Sequence, residues 1–436
     1  MKRILVFASD ILPLEGLPTS GGGLRSWQII KGLESRGFNV DARMPSERFL
    51  CRSFSQVVQD RYADILWSPS SQESVIAASN PDVIIFVNPE QNNLKRHPGI
   101  PVATDLHGPR ILETTNNDNP DFQRIRAVFI SKKIAKLTEA DFITCAGTRQ
   151  RFYFLAFLLA TGRPMEEIEI SYMPVSLSPE VPDVHKDLER KRLVYSGGFY
   201  PWQNAVRPLA VLDSVLRSSG QAQLDMFGGS HNVSRDDEIN FRACLEGLKS
   251  NPHVSFHGYL PRERVLAEFA SSYAAFEVMK RNYERELAFT TRTVEFLWAG
   301  LPVIYNDYAE LSEHIAAYKA GWCVNPADTD AIDRTIREVI NNPDMVVEYG
   351  KNAQRLVRDQ FTWDKSIEPL ARFCANPKML SRPTRFFRLY PFNSPTMTRF
   401  STIHMEWCSR NFLDFFRYVV TKTLDKMLGR LGQRPS

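Results

Sequence analysis

Cysteine is scarce and scattered. The chain has six (Cys51, Cys145, Cys244, Cys323, Cys374 and Cys408) in 436 residues, and no two form a C-x-x-C pair. This excludes a disulfide framework, offers no zinc signature and fits reduced thiols in a cytoplasmic protein. Long apolar runs are lacking as well, since no stretch approaches the ~18 consecutive apolar residues of a spanning helix. Met1-Lys2-Arg3 precedes only a short apolar run, Ile4 to Ala8, closed by Asp10. That segment reads as a first strand and not as a signal peptide. Strong charge bias is absent too: 54 Lys and Arg oppose 50 acids, and the 43% hydrophobic content excludes wholesale disorder. No GxxxxGK[ST], HExxH or GxSxG motif occurs. Asp328-Thr329-Asp330 spells DxD, but it opens a helical pattern after Pro326 and reads as a helix cap.

The balanced charge hides an asymmetry. From Lys378 onward eleven Lys and Arg face three acids (Glu406, Asp414, Asp425), net +8, and the preceding body is net −4. The body gives no reason to expect nucleic acid. The tail suits an anionic surface.

Most of the chain alternates strand and helix patterns. Ile4 to Phe7, Val83 to Val87, the run from Pro101, and Asp141 to Cys145 are short apolar runs of the buried parallel type. A helical pattern spans about Leu24 to Arg36, stopped by Gly37. After a polar linker near 176–190 the alternation restarts with Leu193 to Ser196, Leu224 to Phe227, Val254 to Phe256, Ala274 to Val278 and Pro302 to Tyr305. The pattern predicts an α/β protein with two Rossmann-like, doubly wound domains, 1–178 and 179–375, the last helix of the second crossing back. Residues 376–436 form a basic aromatic tail. Within it Phe412, Phe415, Phe416, Val419, Val420, Leu424, Met427, Leu428 and Leu431 make one stripe of an amphipathic helix from Ser409.

Candidate site residues fall at strand ends, where open α/β sheets line their ligand crevice. Gly21-Gly22-Gly23 lies between a strand and a helix, which lets backbone N–H groups approach an anion, or serves simply as a turn. Asp105 and His107 follow the strand around Val102; His107 is placed to meet a sugar hydroxyl, and Asp105 either joins it or orients a neighbouring loop. Gly197 and Gly198 follow the first strand of the second domain, with Tyr200 and Trp202 either stacking on a ligand or packing. Gly228 ends the next strand. Thr290 and Thr291 have N-cap character, and Arg292 and Glu295 stand on the helix they open. A helix N-terminus with Arg292 makes a diphosphate seat, and the Glu295 carboxylate can accept two hydrogen bonds from adjacent ribose hydroxyls.

These motifs resemble the GT-B glycosyltransferases and, within them, the large retaining group 1 family, over residues 1 to about 374. Thr104-Asp105-Leu106-His107-Gly108 resembles the family's T-x-H-[DG] element. Glu295-Phe296-Leu297-Trp298-Ala299-Gly300-Leu301-Pro302-Val303 matches E-A-x-A-x-G-x-P-V, and Gly321 to Asp328 matches G-x-x-V-x-P-x-D. Phe361-Thr362-Trp363 resembles the start of the crossing helix. Two departures stand out. The acid usual eight positions before the ribose Glu is replaced by Leu287, with Glu286 one step away. No cation occurs from Phe199 to Asn204, where the family keeps Arg and Lys for the diphosphate; Arg292, Arg285 or Arg281 would substitute.

The resemblance implies two domains facing across a cleft and metal-independent transfer of a sugar, with retention, from a nucleotide-diphosphate donor to an envelope glycan or lipid-linked acceptor. The implied catalytic residues are His107, Asp105 and Arg292. The implied donor-binding residues are Gly22, Gly23, Gly197, Gly198, Gly228, Glu286, Thr290, Thr291 and Glu295. No cofactor is implied beyond the co-substrate sugar nucleotide. The tail stripe docks on an anionic membrane at the inner face, on the protein's own first domain, or on a second copy of the chain. A sugar-nucleotide epimerase and a non-catalytic scaffold are the alternative functions.

Overall fold

The computed structural model describes residues 1–50, 54–89, 99–113, 120–200, 203–230 and 236–381. Trp202 and the amphipathic helix expected from Ser409 lie outside the described residues. The chain forms two compact units, Met1–Met173 with the segment from Ile367, and Pro174–Ser366.

The first unit is built on seven parallel strands: β1 (Arg3–Phe7), β2 (Asn39–Pro45), β3 (Leu66–Trp67), β4 (Val83–Val87), β5 (Val102–Leu106), β6 (Phe142–Cys145) and β7 (Ser171–Tyr172). They are ordered β3-β2-β1-β4-β5-β6-β7. The central strands β4 and β5 are buried throughout, which explains the continuous apolar run of β4. β2 carries Asn39, Asp41 and Arg43 on a half-exposed strand, so no apolar run marked it.

The second unit is built on six parallel strands: β8 (Arg192–Phe199), β9 (Gln223–Ser230), β10 (Val254–Gly258), β11 (Ala274–Glu277), β12 (Val303–Asn306) and β13 (Gly321–Val324). Their order is β10-β9-β8-β11-β12-β13. Helix Thr329–Asn341 packs its Ile332, Ile336, Val339 and Ile340 into this core. Its N-cap Asp328 accepts a 2.9 Å hydrogen bond from the Ala331 amide, so the DxD sequence is a helix cap.

The chain passes from the first unit to the second between Met173 and Pro174. Segment 174–190 belongs wholly to the second unit, because its carbonyls are already used there. Trp298 Nε1 donates to Ser178 (2.9 Å) and Gln354 Nε2 to Pro182 (2.7 Å). The return to the first unit comes at Ile367. Helix Glu368–Ala375 buries Leu370, Ala371, Phe373 and Cys374 in the first core, with Phe373 stacked on Phe142 at 4.8 Å. Among the described residues no helix is long and apolar enough to cross a membrane.

Candidate functional site

In the second unit, β8 and β9 run in register so that Gly197 lies beside Gly228 and Gly198 beside Gly229. Gly197 (φ +115°) and Gly228 (φ +106°) hold backbone conformations that side chains rarely adopt. A Cβ on Gly228 would lie 2.0 Å from the Gly197 carbonyl oxygen, and one on Gly197 would lie 2.5 Å from Arg292 Nη1. The backbones therefore meet at the carboxyl ends of the strands with no room for a side chain. Tyr200 folds its ring over Gly198, so it packs there. Tyr259 lies over Gly229 and donates its hydroxyl to the Gly229 carbonyl at 3.0 Å.

Helix Thr291–Trp298 begins beside this edge. Its N-cap Thr290 makes no side-chain cap; its hydroxyl meets those of Thr293 and Tyr305. The dipole at this helix start favours an anion. Thr291 is buried at the first position of the helix.

Arg292 is committed elsewhere. Its Nε lies 3.2 Å from Glu277 Oε1, and its Nη1 donates to the Ser196 carbonyl next to Gly197. Glu277 is 1% exposed and also accepts from the Thr293 hydroxyl. Arg292 therefore braces the Ser196–Gly197 turn from beneath, and its charge is balanced by a buried carboxylate. The two other substitutes are likewise engaged. Arg285 is buried and paired with Glu284 at 2.5 and 2.7 Å, and Arg281 Nε lies 2.8 Å from Glu286 Oε1. That last pair also occupies Glu286, the stand-in for the family's first acid. Glu295 lies one helical turn beyond Arg292 and is paired with Arg262, which heads helix Arg262–Ser271.

In the first unit, Gly22 and Gly23 open helix Gly21–Ser35. A Cβ on Gly23 would lie 1.9 Å from the Ile11 carbonyl oxygen, and one on Gly22 would lie 2.7 Å from Ser9 Oγ. The glycines thus let residues 9–11 pack against the helix start. Ser20 caps that helix through the Gly23 amide and donates to Asp10 Oδ2 at 2.6 Å.

Of the two readings of Asp105, its contacts favour the one in which it orients its neighbours. Asp105 is 1% exposed; it receives Arg25 Nε at 3.0 Å, Arg25 Nη2 at 2.8 Å and the Thr144 hydroxyl at 2.6 Å. Arg25 is also fully buried and bonds Gln28 Oε1 and the Met173 carbonyl. This network fixes the end of β5. His107, two residues on, is half-buried, and burial and then the Arg25 charge push its pKa down to about 4 against the pull of Asp105. At neutral pH it is an uncharged imidazole, able to donate or accept a hydrogen bond.

Each unit thus gathers its candidates at one strand edge: Gly22, Gly23, Asp105 and His107 in the first, and Gly197, Gly198, Gly228, Thr290, Thr291, Arg292 and Glu295 in the second. Arg25, Arg262 and Glu277 were missed. Glu277 alone had a local signal, an acid inside the apolar run Ala274 to Met279. Among the described residues no group of three His, Cys, Asp or Glu is arranged to hold a metal ion.

A sequence model of the family "Glycosyl transferases group 1" matches residues 179–356, nearly the whole second unit. Over that segment the chain is similar to the group 1 glycosyltransferases. No curated protein sequence matches the chain. Among solved structures, the trehalose-6-phosphate synthase OtsA is 9% identical over 87% of this chain and 100% of its own, with a TM-score of 0.61. Sucrose-phosphate synthase from Thermosynechococcus elongatus is 13% identical over 86% of this chain and 98% of its own, at 0.60. HepE from Anabaena, solved in complex with UDP and glucose, is 12% identical over 86% and 100%, at 0.57. At such identities the likeness establishes the fold alone, which is that of the GT-B proteins.

Proposed function

We propose that the chain transfers a sugar from a nucleoside-diphosphate donor to a glycan or lipid-linked acceptor, with retention of anomeric configuration. One observation carries this reading: the helix start at Thr291, left uncapped by Thr290, beside the Gly197–Gly228 contact, with Glu295 one turn further on. The helix N-terminus takes the diphosphate, and Glu295 receives the ribose hydroxyls. The solved complexes of HepE with UDP and of HepE with UDP and glucose support a donor of this class.

In the reaction the bond from the anomeric carbon to the diphosphate oxygen breaks, and the acceptor oxygen bonds to that carbon from the same face. The acceptor proton passes to a phosphate oxygen of the departing diphosphate. The chain's task is to stabilise charge developing on the leaving group and to hold both reactants in line. Neutral His107 suits a hydrogen bond to the transferred sugar, and the buried Arg25–Asp105 pair holds the strand end that presents it. The leaving group is stabilised by groups of the chain itself, so a chelator should leave turnover unchanged. The net +8 tail seats the protein on an anionic membrane, where a lipid-linked acceptor resides.

The test is incubation with a panel of nucleotide sugars, following release of nucleoside diphosphate. Slow hydrolysis accelerated by acceptor supports a transferase. A stereoisomer of the sugar nucleotide would identify an epimerase, and no turnover of any donor would leave a scaffold.

A further inference from the structure

Three arginines stand where the second unit could meet a diphosphate, and each is matched by an acid: Arg292 with Glu277, Arg285 with Glu284, Arg281 with Glu286. Together they leave the edge without net charge. The segment from Phe199 to Asn204 adds no cation. A leaving diphosphate gains negative charge as its bond to the sugar breaks, and that charge needs a positive partner.

We infer that Lys280 supplies this cation; the inference rests on the nucleotide-sugar reading above. β11 pairs with β8 in parallel through Ala274 beside Leu193 and Ala275 beside Val194. β11 ends at Glu277, so Lys280 follows its carboxyl end by three residues. The Lys280 amide donates to the Asn204 carbonyl at 3.0 Å, which ties its backbone to the segment that lacks a cation. From the other side the Tyr308 hydroxyl donates to the Met279 carbonyl at 3.0 Å and reaches that of Lys280 at 3.4 Å. The backbone is thus held at two points. The side chain is exposed and makes no ion pair among the described residues. A lysine is a compact charge on a flexible stem, suited to follow an oxygen as the leaving group moves off. One charge, from the segment that follows β11, takes the role that the first loop does not fill.

Arg207, exposed in the first turn of helix Val206–Ser219, is the competing cation. The experiment separates them by binding titrations of UDP, ADP and GDP, and of the corresponding nucleosides, to the full chain and to Lys280→Met, Lys280→Arg and Arg207→Met. Lys280→Met should weaken the preferred diphosphate by about tenfold or more, as for a charge-assisted contact. It should leave the nucleoside unchanged and flatten the salt dependence, and Lys280→Arg should restore most of the affinity. Thermal unfolding of Lys280→Met should match the parent, since the side chain is exposed. Equal diphosphate affinity in Lys280→Met and parent overturns the inference, as does a parallel loss of nucleoside, or a diphosphate loss that appears only in Arg207→Met. A parent chain that binds none of the three diphosphates overturns the donor reading itself, and the inference with it.

Discussion

Arg262 and Glu295 are joined through a single carboxylate oxygen: Nε and Nη2 of the arginine both lie 2.9 Å from Glu295 Oε1. The pair is mostly buried, with side-chain exposures of 25% and 14%. The arginine fixes the carboxylate rotamer and directs its other oxygen to a second partner. Arg262→Ala should therefore raise the donor KM about fivefold, near 1 kcal/mol, with a smaller change in kcat. Steady-state kinetics at varied donor concentration check this; an effect confined to kcat would show that Arg262 does not act through donor binding.

Arg292 and Glu277 form a second pair whose partners depend on each other. Removing either leaves a charge in a buried setting, which costs about 3–5 kcal/mol. Arg292→Ala should thus lower stability as well as turnover. Glu277→Gln combined with Arg292→Met should be more stable than the sum of the single changes implies. A double-mutant cycle by urea denaturation gives the coupling. Additive effects would mean that the two side chains do not communicate.

The Arg25–Asp105 pair assigns Asp105 to architecture. Asp105→Asn should destabilise the chain by several kcal/mol, on the order of the cost of an unpaired buried charge. Arg25→Met added to it should recover part of that loss. If Asp105→Asn keeps full stability but abolishes turnover, Asp105 meets substrate after all.

His107 makes stability depend on pH in a definite direction. Its pKa is 6.5 when unperturbed and about 4 in the folded chain, so between these values the unfolded state binds more protons. Its contribution is complete above pH 6.5 and declines as the pH falls toward 4. His107→Gln should therefore lose less stability than the parent over that interval. Melting temperatures of the two across the interval decide it, and parallel curves would show that His107 is not held neutral.

Local chemistry was legible in the sequence, and long-range pairing was not. The first turn at Thr291 and the Asp328 cap could be read because helix starts are specified by a few consecutive residues. β4 showed as an apolar run because both its faces are buried. Arg25 gave no sign of its role, since its partner lies 80 positions away. Arg292 looked like a free cation because Glu277, the acid that neutralises it, lies 15 positions away on β11. The apolar face of helix Glu368–Ala375 does not by itself say which core it joins; its packing on Phe142 decides that.

The central claim is that the edge around Gly197, Thr291 and Glu295 holds a nucleoside-diphosphate sugar by its diphosphate and ribose. The most direct measurement is calorimetric titration of a panel of nucleoside diphosphates into the parent chain and into Glu295→Gln. The account predicts binding of at least one nucleotide to the parent, weakened by roughly 1–3 kcal/mol in the variant with folding intact. Binding that is indifferent to Glu295, or no binding of any nucleoside diphosphate by the folded parent, would contradict it.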